Sequence, residues 1–205
     1  MPDSNRTFIG IAVPDLLGPR LQRLQRGLAE TLPTARWAET PPFHLTLAFL
    51  GDVPHADLSN VCRAVADAAA PFAAFELTLS GIGAFPDVTR ARVMWTGVEG
   101  PGLQTLRELQ AAVAAAVDAV GYPAEGPPPF HAHVTLARFQ TGARKGVKVP
   151  PPDLTSVVRR RESWSAGPFV AGEVVTFASS HGREGQRYDR LAHVTLKSRK
   201  GRENP

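Results

Sequence analysis

The tetrapeptide His-x-Thr-Leu occurs twice inside apolar, strand-like runs, at His44-Leu45-Thr46-Leu47 and at His133-Val134-Thr135-Leu136, each copy preceded by a Pro-Pro-Phe. A strand points successive side chains to opposite faces, so the His and Thr of each copy share one face. Leu45 and Leu47, or Val134 and Leu136, take the other. The chain must therefore bury one face of two similar strands while presenting an imidazole beside a hydroxyl on the opposite face. From average composition, Thr and Leu follow a given His at these offsets about once in a few hundred times. The repeat thus predicts a duplicated lobe rather than two coincidences.

The surrounding pattern fits two such lobes. Thr7 to Val13 alternates as a strand, and Leu17, Leu21, Leu24 and Leu28 recur at helical spacing behind it. Phe43 to Leu50 is the first motif strand. Asp57 then precedes Leu58, Val61, Cys62, Val65 and Ala69, a helix that Pro71 stops. Phe75 to Leu79 and Arg92 to Gly97 read as strands. In the second half Leu103, Leu106, Leu109, Val113, Val117 and Val120 mark a long helix with Gly121 at its end, and Ala132 to Phe139 is the second motif strand. Thr141 to Pro152 reads as an exposed loop. Phe169 to Ala178 and Arg187 to Lys197 read as two further strands, and 199–205 as a disordered basic tail. Strands follow one another directly as well as alternating with helices, so the expected class is α+β with antiparallel-rich sheets and flanking helices. Residues 1–198 are expected to form a single bilobed domain.

Composition narrows the function classes. No apolar run approaches the roughly 18 residues a membrane span needs. The start, Met1-Pro2-Asp3-Ser4-Asn5-Arg6, lacks the form of a signal peptide, and the single cysteine, Cys62, excludes an internal disulfide and fits a reducing cytoplasm. Cys62 falls on the inner helix face and reads as a buried, inert thiol. Residues 1–100 carry 8 basic and 10 acidic side chains, against 15 and 9 in 101–205. That asymmetry suits a polyanionic partner, or simply solubility. There is no phosphate-binding G-x-x-x-x-G-K-[ST] loop and no strand-coupled G-x-G-x-x-G.

Two imidazoles facing one cleft can divide a proton-transfer reaction, one neutral ring taking a proton and one protonated ring giving one. With an ordinary pKa of about 6.5 both states are accessible near neutral pH. Thr46 and Thr135 can hydrogen-bond the non-bridging oxygens of a phosphate, so metal-free phosphodiester cleavage suits the set. A zinc site built from His44, His131 and His133 is the competing reading. No acidic residue or cysteine with ligand-like spacing accompanies them, so no metal or other cofactor is expected.

The paired motifs, Phe43-His44-Leu45-Thr46-Leu47-Ala48-Phe49-Leu50-Gly51 and His133-Val134-Thr135-Leu136-Ala137-Arg138, resemble those of the two-histidine (2H) phosphoesterase superfamily. Within it the chain is similar to the RNA 2′,3′-cyclic phosphodiesterases, also called 2′-5′ RNA ligases. Phe8 to Val13, Gly83-Ala84-Phe85-Pro86 with Arg92 to Trp95, and Gly185-Gln186-Arg187-Tyr188 extend the likeness over nearly the whole chain. The resemblance implies two lobes related by a pseudo-twofold axis, with one motif per lobe across a central cleft. It implies that the chain opens a 2′,3′-cyclic phosphate end on RNA to a 2′-phosphate, with 2′-5′ joining in reverse, and the protein is expected to be a cytoplasmic monomer. His44 would then be the general acid and His133 the base, with Thr46, Thr135 and Arg138 on the phosphate. Small cyclic nucleotides or ADP-ribose cyclic phosphate are alternative substrates, and a non-catalytic RNA-binding protein of the same fold is the alternative from another class.

Some residues fit this pattern less simply. By strict alternation Arg138 faces away from His133, so contact with phosphate would require a twist or bulge. The family often has Arg-Pro just before the second His, where this chain has His131-Ala132. His131 shares the face of His133 and either replaces a phosphate-steering cation or sits at the rim. Phe43, Trp37 and Tyr188 are candidates for base stacking. Arg159-Arg160-Arg161 either steers RNA or is a solvated helix face. The third His-Val-Thr-Leu, at His193 to Leu196, lies in the last strand, and a pseudo-twofold site has room for two copies. It reads as solvent-facing.

Overall fold

The computed structural model describes residues 3–38, 42–125, 129–140, 142–144, 147–182 and 185–198. The chain runs β1 (Ser4–Ala12), α1 (Gly18–Ala29), β2 (Ala35–Trp37), β3 (His44–Pro54), α2 (Leu58–Ala69), β4 (Phe75–Phe85), β5 (Val93–Glu99) and α3 (Leu103–Ala119). It continues through β6 (His133–Phe139), β7 (Gly142–Arg144), β8 (Val147–Val149), α4 (Thr155–Arg159), β9 (Ser165–Ala171), β10 (Glu173–Gly182) and β11 (Gly185–Thr195). The leucine stripe of α1 is buried as its spacing requires, and so are Val61, Val65 and Ala69 of α2 and Leu106, Leu109, Val113 and Val117 of α3. Gly121 closes α3 at φ +92°, the left-handed conformation a helix C-terminus favours.

Eight strands form one curled sheet in the order β11-β10-β1-β3-β6-β5-β4-β9, with β2 added to β6. Every pairing within it is antiparallel. The sheet divides at its middle into two quartets, β11-β10-β1-β3 and β9-β4-β5-β6. They meet through one registered pair, Leu45 opposite Val134. These are equivalent positions of the two motifs, so a local twofold passes between them and relates the quartets. The segments flanking the seam obey the same symmetry. Arg36 pairs with Arg138, and Glu125 with Phe49.

The lobes are not the two halves of the chain, as the order of elements suggested. β4, β5, β6 and β9 make one quartet from the middle of the sequence, while β1 and β3 are completed by β10 and β11 from its end. The helices also cross over. α1 leaves β1 but reaches the other quartet, where Arg20 Nη1 donates to the Ala166 carbonyl at 2.6 Å and Gln25 Nε2 to the Leu136 carbonyl at 3.0 Å. α3 leaves β5 and reaches back, Gln110 Nε2 donating to the Leu47 carbonyl at 3.2 Å.

Several boundaries differ from the sequence expectation. β3 runs on through Gly51 to Pro54 and β4 through Gly81 and Gly83 to Phe85, because ladder hydrogen bonds outweigh the local preference of glycine for turns. The stretch expected as one strand at Phe169 to Ala178 is the end of β9 and the start of β10. The expected loop from Thr141 holds the β7–β8 hairpin. Residues 199–205, expected as a tail, lie outside the described residues. Among the described residues no helix is long and apolar enough to cross a membrane.

Candidate active site

Alternation works as the motifs require. Leu45, Leu47, Val134 and Leu136 are buried in the core, while His44, Thr46, His133 and Thr135 are half-buried on the opposite face. Carrying the Leu45–Val134 register one residue each way sets His44 across from Thr135 and Thr46 across from His133. Each imidazole thus neighbours the hydroxyl of the other copy. The first lobe contributes one ring to the cleft and the second lobe the other.

The two rings are held alike. His44 Nδ1 lies 3.1 Å from the Pro42 carbonyl and His133 Nδ1 lies 2.7 Å from the His131 carbonyl. A carbonyl only accepts, so Nδ1 carries the hydrogen in both rings. Nε2 is then the atom that takes or gives a proton. Burial pushes the pKa of His44 from 6.5 down to about 4, with the charges of Arg138 and His133 adding to the fall and the Pro42 carbonyl opposing it. Burial lowers His133 as well, helped by the charges of His131 and Arg138 and opposed by the His131 carbonyl.

These shifts fix a dependence of stability on pH. Between about pH 6.5 and 4 the unfolded chain protonates His44 while the folded one resists, so stability is fully present above pH 6.5 and falls as pH falls through the window. For His44 alone the loss from pH 7.5 to 5 is about 2 kcal/mol. Denaturant titrations at the two pH values measure it, and His44→Gln is expected to flatten the difference.

A bulge reverses the expectation for Arg138. On β6 the pairs Trp95–Thr135 and Met94–Ala137 leave Leu136 without a partner on β5, and on β3 the pairs Gly10–Thr46 and Ile9–Ala48 leave out Leu47 on β1. Each extra residue shifts the alternation by one. The first seven residues of both strands consequently show one sequence: half-buried, buried, half-buried, buried, buried, exposed, buried. Arg138 therefore returns to the face of His133, exposed, and its charge acts on His44, His133 and Tyr188. Phe49 is its counterpart on β3, 5.7 Å from Phe8 ring to ring.

Aromatic walls flank the pair. Phe8, Phe177 and Tyr188 stand 4.7, 5.9 and 4.7 Å from the His44 ring. Phe85, Trp95 and His131 stand 5.0, 6.2 and 6.3 Å from the His133 ring. Of these only Tyr188 and His131 were expected at the site. Trp95 could have been found by pairing: set opposite Thr135, it must share the face of Thr135. Gly83 makes its place, since a Cβ at that position would run into the indole ring. The Trp95 Nε1–H is buried and has no protein acceptor among the described residues.

Other expected residues stand elsewhere. Phe43 is not on the cleft face. It is 6% exposed in the main core, as its place one residue before His44 dictates. Trp37 is half-buried on β2 and packs against the main core. His193 is exposed on the edge strand β11, away from the pair. Arg161 lines a hollow with Arg20, Arg23 and Trp164 that contains no motif residue. Cys62 is half-buried rather than fully buried, beside the inner stripe of α2. Among the described residues, no three His, Cys, Asp or Glu side chains are grouped to share a metal ion.

The same chain matches the family model described as LigT like Phosphoesterase over residues 11–95 and 97–188. An RNA 2′,3′-cyclic phosphodiesterase of Aeropyrum pernix is 32% identical over 179 residues, covering 87% of this chain and 96% of the relative. One from Geobacillus stearothermophilus is 34% identical over 135 residues, 66% of this chain, and this chain spans only 42% of that relative's length. Among solved structures, E. coli LigT complexed with 3′-AMP superposes with a TM-score of 0.69 at 26% identity, covering 94% of this chain and 98% of the other.

Proposed function

Because the chain belongs to the LigT-like phosphoesterase family, we propose that it hydrolyses RNA 2′,3′-cyclic phosphate ends to 2′-phosphates by metal-independent two-histidine catalysis. The observation that carries this reading is the symmetric pair of rings, each with Nδ1–H tied to the carbonyl two residues back and Nε2 left for proton transfer. One Nε2 takes a proton from water as its oxygen bonds to phosphorus. The other delivers a proton to O3′ as the P–O3′ bond breaks, leaving a 2′-phosphate and a 3′-hydroxyl. In this assignment His44 is the acid and His133 the base, and the same steps with a 5′-hydroxyl in place of water would join it to the cyclic phosphate end through a 2′-5′ linkage, which the reverse steps would cleave.

Thr46 and Thr135 donate to the non-bridging oxygens, and Arg138 offsets their charge. Tyr188, backed by the buried Phe8, on one side, and Trp95, Phe85 and His131 on the other, line the cleft against the nucleosides. The Trp95 Nε1–H is a buried donor that a bound substrate can satisfy. Both imidazoles are neutral in the free protein at pH 7, so the anionic phosphate must help the acid acquire its proton. The bell in kcat/KM is therefore expected to lie on the acid side of pH 6.5, and the basic limb in kcat to move upward once phosphate is bound.

The test is an oligonucleotide ending in a 2′,3′-cyclic phosphate, incubated in excess EDTA and followed by phosphorus NMR. A 2′-phosphate product is expected. Activity lost on chelation, or a 3′-phosphate product, overturns the mechanism. Turnover independent of chain length would favour a small cyclic nucleotide or ADP-ribose cyclic phosphate as substrate, and binding without any product would favour a non-catalytic RNA-binding role.

A further inference from the structure

The two glutamines that cross between the lobes stand at matching places. Gln25 on α1 donates through Nε2 to the carbonyl of Leu136, and Gln110 on α3 donates through Nε2 to the carbonyl of Leu47. Leu136 and Leu47 are the residues that the matching bulges of the two motif strands leave without a ladder partner on β5 and β1, a second bulge further along β3 leaving out Leu50. Both also lie where the motif strands separate, two positions beyond the single Leu45–Val134 pair that joins them. At such a fork the facing motif strand offers the carbonyl no donor, and a buried acceptor without a donor is costly. At Leu136 the gap is closed twice over. The Ala38 N–H donates at 2.9 Å and Gln25 at 3.0 Å, while Gln25 Nε2 also donates to the Ala38 carbonyl at 3.0 Å. Gln25 is itself 8% exposed, unusual burial for a glutamine on a leucine-faced helix.

We infer that Gln25 and Gln110 are positioning residues for the two-histidine site. Each amide pins the bulge of the opposite lobe's motif strand and so fixes the change of phase that turns Arg138, and likewise Phe49, onto the cleft face. This inference rests on the proposed reaction for its kinetic test but on the bulge itself for its logic. Without the pin, β6 can pair regularly with β5. Regular alternation then returns Arg138 to the face away from His133. The effect is indirect, because neither amide touches the cleft.

The test is a double-mutant cycle on the full chain with Gln25→Met, which keeps an unbranched side chain of similar length and removes the donor, and Arg138→Ala. On a cyclic-phosphate oligonucleotide, Gln25→Met is expected to lower kcat/KM about tenfold. The double variant should fall no more than about twofold below Arg138→Ala alone, because both act through one cation. Losses that multiply would overturn the inference, as would unchanged kcat/KM in Gln25→Met. If Gln25→Met does not fold, Gln110→Met at the half-buried equivalent position carries the same comparison with Phe49→Ala. Should the wild type itself not turn over the oligonucleotide, the reaction proposed above fails by itself. The affinity of the same four proteins for inorganic phosphate, by calorimetry, then decides the positioning role. Coupled weakening supports it, and independent or absent weakening overturns it.

Discussion

Replacing either His44 or His133 by Ala is expected to lower kcat on a 2′,3′-cyclic-phosphate end by about 10²- to 10⁴-fold, the usual share of one general acid or base. The loss should be similar at the two positions, because the rings are equivalent in placement: each is fixed through Nδ1–H and each has the other copy's threonine across the strand pair. The double substitution is expected to cost little more than the worse single one, since the two rings' proton transfers belong to one displacement at phosphorus. Single-turnover rates with the variants at saturating substrate measure this directly. Activity that survives the double substitution would remove both rings from the mechanism. Gln at either position keeps a polar group of related size but cannot cycle a proton, so it should behave as Ala does in rate while preserving the fold.

Arg138→Ala carries the second large expected effect. Its guanidinium is the cation whose field reaches both imidazoles, and a hydrogen bond to a charged phosphate is worth about 1.5–3 kcal/mol, a roughly 10- to 100-fold loss in kcat/KM. The same substitution should raise the pKa of His44, His133 and Tyr188 together, because Arg138 lowers all three. Imidazole and phenol resonances followed by NMR over a pH series read those shifts without reference to turnover. Arg138→Lys is expected to keep the lowered histidines but to lose part of the rate, since an ammonium cannot match two phosphate oxygens at once. A variant that loses rate with no movement of the three groups would place Arg138 outside the cleft.

The motif strands and the helices α1, α2 and α3 were legible because their signals are local: alternation in β3 and β6, and leucine or valine spacing in the helices. Phe43 was legible in the same way and misassigned, since alternation alone sends it to the face opposite His44. Arg138 was a different case. Its face depends on Leu136 having no partner on β5, and nothing within β6 announces which residue a neighbouring strand will skip. Tyr188 was expected at the site, but its Phe8 and Phe177 neighbours were as illegible as the face of Arg138, because the wall comes from β1, β10 and β11, whose adjacency is decided by pairing across most of the chain. Gln25 and Gln110 lacked a signal of their own. A glutamine on an amphipathic helix ordinarily reads as surface, and only the crossing of each helix to the other lobe makes it buried or half-buried.

The ordering of strands along the chain also sets an ordering in time. The quartet carrying His133 has all four strands once β9 has been synthesised, whereas the quartet carrying His44 then still lacks β10 and β11. A growing chain at that stage has one finished half and one half whose β1 edge is unpaired, the kind of edge on which strands from other chains can add. It also lacks the Phe177 and Tyr188 side of the His44 wall, so the ring that burial later holds near pKa 4 is still open to water. The last strands to emerge therefore do two things at once, sealing the edge against aggregation and bringing the second imidazole into its working environment.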